Sequence, residues 1–462
     1  ANIVGELTVN GAALSSAPTI EAVASGSLTE GVTCFVNSDG TVQKITVTNY
    51  SDAVGSDANA KDDTDTLENE SFDSCQIAED KIAVCWVEGE LYIAVGTISG
   101  TTITWGTPLA TGNGETSGHN HPRIDYEATS GCLVAIWYET YNTRQYMRAF
   151  SISGTTLTAG ALHYPIESHY GKAPALACGG GGCVAYFRHQ PTEAEIYGIT
   201  VNGTTRAIST GSHIGSSQES GLSQNPYNTS LSYNPTRDCF LLTYNWSDNT
   251  EFQVISRSGT SLTSNHSHSI SSSNDSRTAN CYEAKTGNHV VVVRRGSTLV
   301  AYKANINSSK QVSVGSVLGG VESSDNCDFM TLAYNDELEI VFCHHSNFDS
   351  NRVDIQRLIP GDTTVTNMSG GQIDNIPNFN VGARVSICNG GSGKVVTFNP
   401  STSSYTDVIG NVRQFAHSAQ DKSVTDGNFV GFSAGSYSNG NTATINVTGN
   451  TTTQSGLTTA TK

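Results

Sequence analysis

The residues of this chain that could do chemistry are its cysteines, histidines, aromatic side chains and carboxylates. Eleven cysteines are too many to ignore and too few for a disulfide scaffold in 462 residues. Three pairs lie close together on neighbouring apolar runs: Cys75 with Cys85, Cys178 with Cys183, and Cys327 with Cys343. Adjacent antiparallel strands bring such pairs within bridging reach, and facing and register decide whether they bond. Cys132 and Cys239 have no local partner. Most of the eleven read as small buried apolar residues, with one or two disulfides of an extracellular protein as the sharper alternative. The run Cys178-Gly-Gly-Gly-Gly-Cys183 has a loose ligand spacing and no second pair beside it, so zinc is not expected.

His119-Asn120-His121 places two imidazoles on one face of an extended segment. His163, His169, His213, His266 and His268 fall in connectors, and His344-His345 ends a strand. Polar loop histidines that bind nothing are the simpler reading, and no metal site is expected. The acidic run from Asp57 to Asp65 is a poor calcium loop, because Lys61 stands where a ligand should be and the turn glycine is missing. Tyr138, Tyr141, Tyr164, Tyr170, Tyr227 and Trp246 sit near connectors. Their ring faces could stack on the apolar face of a pyranose, so these six with His119 and His121 are the candidate binding residues. The competing reading is that Tyr138 and Trp246 merely cover sheet edges. Eleven Asn-x-Ser/Thr sequons, Asn202 and Asn228 among them, match what chance gives in a chain this rich in Asn, Ser and Thr.

The elements that must position these groups are strands. Eight short apolar runs recur about every 50 residues: 32–36, 82–86, 133–137, 183–187, 240–244, 290–294, 339–343 and 394–398. Ser99-Gly100-Thr101-Thr102, Ser153-Gly154-Thr155-Thr156, Asn202-Gly203-Thr204-Thr205 and Ser258-Gly259-Thr260-Ser261 keep the same beat. Each reads as a hairpin turn in which Gly supplies the positive φ. A repeat of this length, with three or four strands and no helix, predicts an all-β fold, a β-propeller. Seven blades follow if the partial first unit completes the last blade, and eight is the alternative. The predicted domains are a lead-in over 1–16, a propeller over 17–423 and a small β segment over 424–462. Residues 50–71 read as a long exposed acidic loop. The connectors 106–120, 159–172, 208–224 and 263–278 vary while the strands do not, which is how binding surfaces are laid out on rigid scaffolds.

Composition limits the function. Net charge is −18, with 24 Lys plus Arg against 42 Asp plus Glu, and the cations are not clustered. Nucleic acid is therefore not an expected partner, nor is an anionic membrane surface. No apolar stretch of about 18 residues is present, so membrane insertion is not expected. The turns lack the Asp and Trp of the sialidase Asp-box, and Arg148, Arg188 and Arg294 are scattered. Paired carboxylates for glycoside hydrolysis would have to come from different blades, which sequence does not pair. No catalytic residue and no cofactor is expected, and the chain reads as a non-enzyme.

Three stretches carry a resemblance: ASGSLTEGVTCFVNSDGTVQKI at 24–45, VGTISGTTITWGTP at 95–108, and NFVGFSAGSYSNGNTATINVTGNTTTQSGLTTATK at 428–462. They resemble segments of phage tail-fibre and related virion appendage proteins, of the type found in phages of aquatic bacteria. The resemblance implies a virion-exposed structural and adhesive protein that meets host-surface glycan, other virion proteins or copies of itself. It offers no catalytic motif. The sequence stops at Lys462 without a terminating signal, which leaves open a continuation of the chain or docking of this last piece on a partner. A secreted or surface-filament propeller glycoprotein of a microbe or alga is the first alternative, and a propeller glycosidase or lyase the second.

Overall fold

The computed structural model describes residues 8–9, 12–13, 19–62, 67, 72–111, 119–139, 144–165, 171–189, 193–216, 229–246, 249–271, 275–322, 327–347, 352–368, 385–400, 406–420 and 429–446. All regular elements among them are strands. Two compact units are present: residues 52–415, and residues 1–51 together with 416–462.

Residues 52–415 form a seven-bladed β-propeller. The first blade shows the plan: Phe72–Ala78, Lys81–Glu88, Glu90–Ser99 and Thr102–Trp105, each antiparallel to the next. The inner strands of the seven blades are Phe72–Ala78, His119–Glu127, Gly171–Cys178, Thr229–Asn234, Asp275–Glu283, Cys327–Asn335 and Ser386–Gly391. Each packs beside the next, and the seventh returns to the first, so the ring is closed.

The recurring apolar runs are the second strands, and their continuity has a physical cause. Residues Ile82 to Val87 are at most 2% exposed. Ile82, Val84 and Trp86 face blade 7, packing with Val396, Phe398 and Val412. Ala83, Cys85 and Val87 face blade 2, packing with Leu133, Ala135 and Trp137. A strand with a sheet on either side has no polar face, so its sequence reads as an unbroken apolar run.

The seventh blade closes with a strand from the other end of the chain. Lys394–Pro400 and Asp407–Gln414 are its second and third strands, and Ala53–Val54 and Ala58–Asp62 pair with the third as its outer edge. The exposed loop expected at 50–71 is therefore replaced by strand over 53–54 and 58–62. The same backbone pattern marks ordinary outer strands. Gly106 donates to Val95 O (2.9 Å) and lies against the next blade's turn, where a Cβ would come within 2.6 Å of Thr155 O. Gly55 repeats both features, donating to Val412 O (2.8 Å) with its would-be Cβ 2.0 Å from Thr101 O. Trp105 Nε1 donates to Ala58 O (3.1 Å), and Lys61, 2% exposed, pairs with Glu88 at 3.2 Å. Lys61 thus pins a closing strand, where the sequence suggested a solvated loop.

The first of the eight apolar runs is not a blade strand. Thr33–Val36 pairs with Phe429–Ser433 in a sheet ordered Thr19–Val23, Thr442–Asn446, Phe429–Ser433, Thr33–Val36, Val42–Lys44. Its core is Ala24, Leu28, Cys34, Val42, Ala443 and Ile445. Residues 17–51 and 416–423, expected inside the propeller, fall in this second unit with the chain ends. The pairing joins segments about 400 residues apart, which a local rhythm does not reveal.

Three of the four repeated turns have Gly at positive φ: Gly100 (58°), Gly154 (61°) and Gly259 (59°). The fourth differs. There Asn202 Oδ1 accepts from Thr204 N (3.0 Å) and Thr205 N (2.9 Å), and Arg206 takes the positive φ of 60°.

Candidate functional site

Each inner strand pairs on one side only, so its other edge is open to the propeller axis. Seven such edges enclose an axial cavity of about 540 Å³, lined by 73–76, 123–125, 175–178, 229–233, 278–282, 329–334 and 385–389, together with Pro235. An open strand edge presents N–H and C=O groups that need partners. Side chains supply some of them in steps of one blade. Asp73 Oδ2 accepts from Ile124 N (3.1 Å), and Asp125 Oδ2 accepts from Cys178 N (2.7 Å). Ser230 Oγ accepts from Asn280 N (3.0 Å), while Asn280 Nδ2 donates back to Ser230 O (3.0 Å). At the last seam the hydroxyls of Ser74 and Ser386 meet at 2.7 Å.

The two carboxyl groups differ in their surroundings. Burial raises Asp73, while Arg123 and the Ile124 N–H work the other way. Asp125 is raised to about 7, chiefly by desolvation and further by the charge of Asp73, with the Cys178 and Tyr126 N–H groups opposing. In blade 5 the charge lies behind the wall. Glu283 and Lys303 form an ion pair with both side chains fully buried. His289, beside it, is pushed down to about 3 by burial and by Lys303, and its Nδ1 shares a 2.8 Å hydrogen bond with Ser232 Oγ.

Three tyrosines, Tyr233, Tyr282 and Tyr334, line the cavity where consecutive inner strands end. All three are half-buried. Tyr233 OH donates to Asp238 Oδ1 (2.9 Å), and Tyr282 OH is 2.9 Å from Thr236 Oγ1. Each precedes a residue that caps the following turn. Asn234 Oδ1 accepts from Arg237 N (3.0 Å), Glu283 Oε2 from Thr286 N (2.9 Å) and Asn335 Oδ1 from Leu338 N (3.0 Å). Tyr126-Glu127 repeats the pair, with Glu127 Oε2 accepting from Ser130 N (2.6 Å). Tyr followed by Asn or Glu at the end of an inner strand is a sequence signal for this rim. It escapes notice among 18 tyrosines when attention rests on the connectors.

The residues expected to bind sit elsewhere. Tyr138 is 1% exposed and faces Asn120 across the ladder, at the opposite end of its blade from the tyrosine rim. It is packed inside, so it offers no stacking face. Tyr164 is 40% exposed and meets Tyr146 edge-on at 5.2 Å. His121 is half-buried at a bulge between Asn120 and Arg123, with φ of 54°. His119 begins an inner strand and Trp246 ends a second strand. Tyr141, Tyr170 and Tyr227 lie outside the described residues, as do the side chains of His119 and Trp246. His344 and His345 are buried within a second strand, and His344 Nδ1 donates to Ser386 O (3.1 Å).

Cys178 and Cys183 face each other directly in the ladder and are joined by a disulfide. Cys75, Cys85, Cys327 and Cys343 are buried thiols. Register explains the contrast. Cys75 faces Ala83 and Cys85 faces Asp73, while Cys327 faces Asn347 and Cys343 faces Leu332. None of these thiols has a sulfur opposite it within bridging geometry.

No family model matches the chain, and no curated protein matches it. Solved structures do show a likeness. A candidate 6-phosphogluconolactonase from Bacteroides fragilis aligns at 11% identity and a TM-score of 0.47, covering 79% of this chain and 97% of that one. A protein from Lactobacillus plantarum aligns at 11% identity and 0.44, covering 64% and 83%. AofleA from Arthrobotrys oligospora aligns at 10% identity and 0.42, covering 89% and 94%. At such values these likenesses carry no inference about activity.

Proposed function

We propose that this protein is a non-enzymatic, glycan-binding propeller whose axial cavity takes a saccharide. The observation that carries the reading is the pairing of three half-buried tyrosines with a wall of hydroxyls, amides and strand edges. Aromatic faces cover the C–H face of a sugar ring, and fixed polar groups orient its hydroxyls. The cavity volume is of the size that encloses a small ligand. The likeness of both chain ends to phage tail-fibre segments supports an attachment role on a virion appendage, toward host-surface glycan.

A glycan array probed with the full chain tests this reading. Binding to a defined set of saccharides is expected, and a Tyr282→Ala, Tyr334→Ala double variant should lose at least about fivefold in affinity, at about 0.5–1.5 kcal/mol per ring. A silent array, or binding untouched by the double variant, would reject it.

One observation bears on a glycosidase instead: two carboxyl groups, Asp73 and Asp125, stand together on the cavity wall, and burial raises both, Asp125 to about 7. A carboxyl held protonated near neutral pH can serve as a general acid. Against it, both groups are already committed to holding the next strand's N–H. Release of reducing sugar that stops in Asp125→Asn would establish that alternative.

A further inference from the structure

The seams around the cavity do one job with two chemistries. At the seam between blades 4 and 5 a neutral hydroxyl, Ser230 Oγ, holds the next strand's N–H (3.0 Å). At the seam between blades 2 and 3 a carboxyl, Asp125, does the same at 2.7 Å. The seam therefore does not require an ionisable group, and the charge at Asp125 is surplus to architecture. Burying a carboxyl without a counter-ion is unfavourable. Asp73 has Arg123 near it. The groups that act on Asp125 are the backbone N–H of Tyr126 and of Cys178, and Asp73 across the seam, while Cys75 on that same strand feels its charge. Among the described residues none of these is a cation; Arg123, two residues back on the same strand, also lines the cavity and acts on Asp73. Asp125 is half-buried, with part of its surface on the cavity.

We infer that the axial cavity selects an amino sugar, its ammonium group paired with the Asp125 carboxylate. This rests on the saccharide reading above and adds the class of sugar. The tyrosine rim serves the same ligand, because a cation is attracted to an aromatic face as a neutral amide is not. Asp125 is raised to about 7 in the empty cavity, so below that pH an arriving ammonium must drive off a proton. Binding and proton release are then coupled.

The test is calorimetric titration of the full chain with chitobiose in its free-amine form and with the N,N′-diacetylated form. It is run at about pH 6.5 in buffers of different ionisation enthalpy. The free amine is expected to bind at least about tenfold tighter, the gain of one charge-assisted contact, and to release a fraction of a proton from Asp125. In Asp125→Asn the proton release and the preference should vanish. The circular dichroism spectrum of that variant should match the parent's, which shows that the fold is intact. Equal affinity for the two forms, or no proton release, overturns the inference and leaves the saccharide reading standing. If neither form binds, the inference also falls. The saccharide reading falls with it only if the glycan array is silent too.

Discussion

The wall built by blades 1 and 2 and the wall built by blades 4 and 5 solve the same problem in opposite ways. In the first, carboxyl groups from Asp73 and Asp125 stand on the cavity surface and hold backbone N–H groups of the following blades. In the second, Ser230 and Asn280 form a neutral pair of hydrogen bonds across the seam, and the charged pair Glu283–Lys303 is sealed behind it. Both arrangements satisfy strand edges. Only the first leaves carboxyl groups where a ligand could reach them. Position relative to the axis, more than residue type, separates a charge that supports the fold from one that is available for recognition.

Breaking the sealed pair should have the largest effect. Lys303→Met strands the Glu283 carboxylate in a dry site, at a cost of about 3–5 kcal/mol. Chemical denaturation should show this as a lowered midpoint with little change in slope. A variant as stable as the parent would show that the pair is not the support described.

The exposed wall should instead reveal itself through pH. The folded state holds the Asp125 proton up to about 7, whereas an unfolded Asp releases it near 3.9. Between those values the native state binds more protons, so its stability falls as pH rises and levels off above about 7. The loss is on the order of 2–4 kcal/mol, and Asp125→Asn should flatten that part of the profile. Thermal melts of both proteins across this range are the check, and parallel profiles would argue against the assignment.

The disulfide beside the charged wall contributes less. Cys178 and Cys183 close a short loop, for which chain entropy gives about 2 kcal/mol. The Cys178→Ala, Cys183→Ala variant should melt lower by a corresponding amount while keeping the Asp125 contact, which uses a backbone N–H. On the neutral wall, Tyr282→Phe removes the bond to Thr236 and should lower stability by about 1 kcal/mol, with ring stacking on a ligand unchanged.

Some of this was legible in the chain and some was not. The second strands announce themselves because both faces are buried, as at Ile82 to Val87. The turns at Gly100, Gly154 and Gly259 are legible because backbone geometry demands a residue tolerant of positive φ. The closing strand at Ala58–Asp62 is not legible. It packs through the small residues Ala58 and Ala60 and the buried Lys61 paired to Glu88, while Asn59 is exposed, so it carries too little apolar surface to stand out. The connector aromatics drew attention by position, yet Tyr138 is packed away. The axial residues Asp73 and Asp125 carry no signal in their own strands, because what gives them meaning is the strand of the next blade about 50 residues on.

The most direct test is a structure of the full chain with a saccharide bound from the glycan array. The account predicts the sugar on the propeller axis, in contact with Tyr282 or Tyr334 and enclosed by the inner strands. A sugar seated at the opposite end of the blades, on the side of Tyr164 and His121, would contradict it.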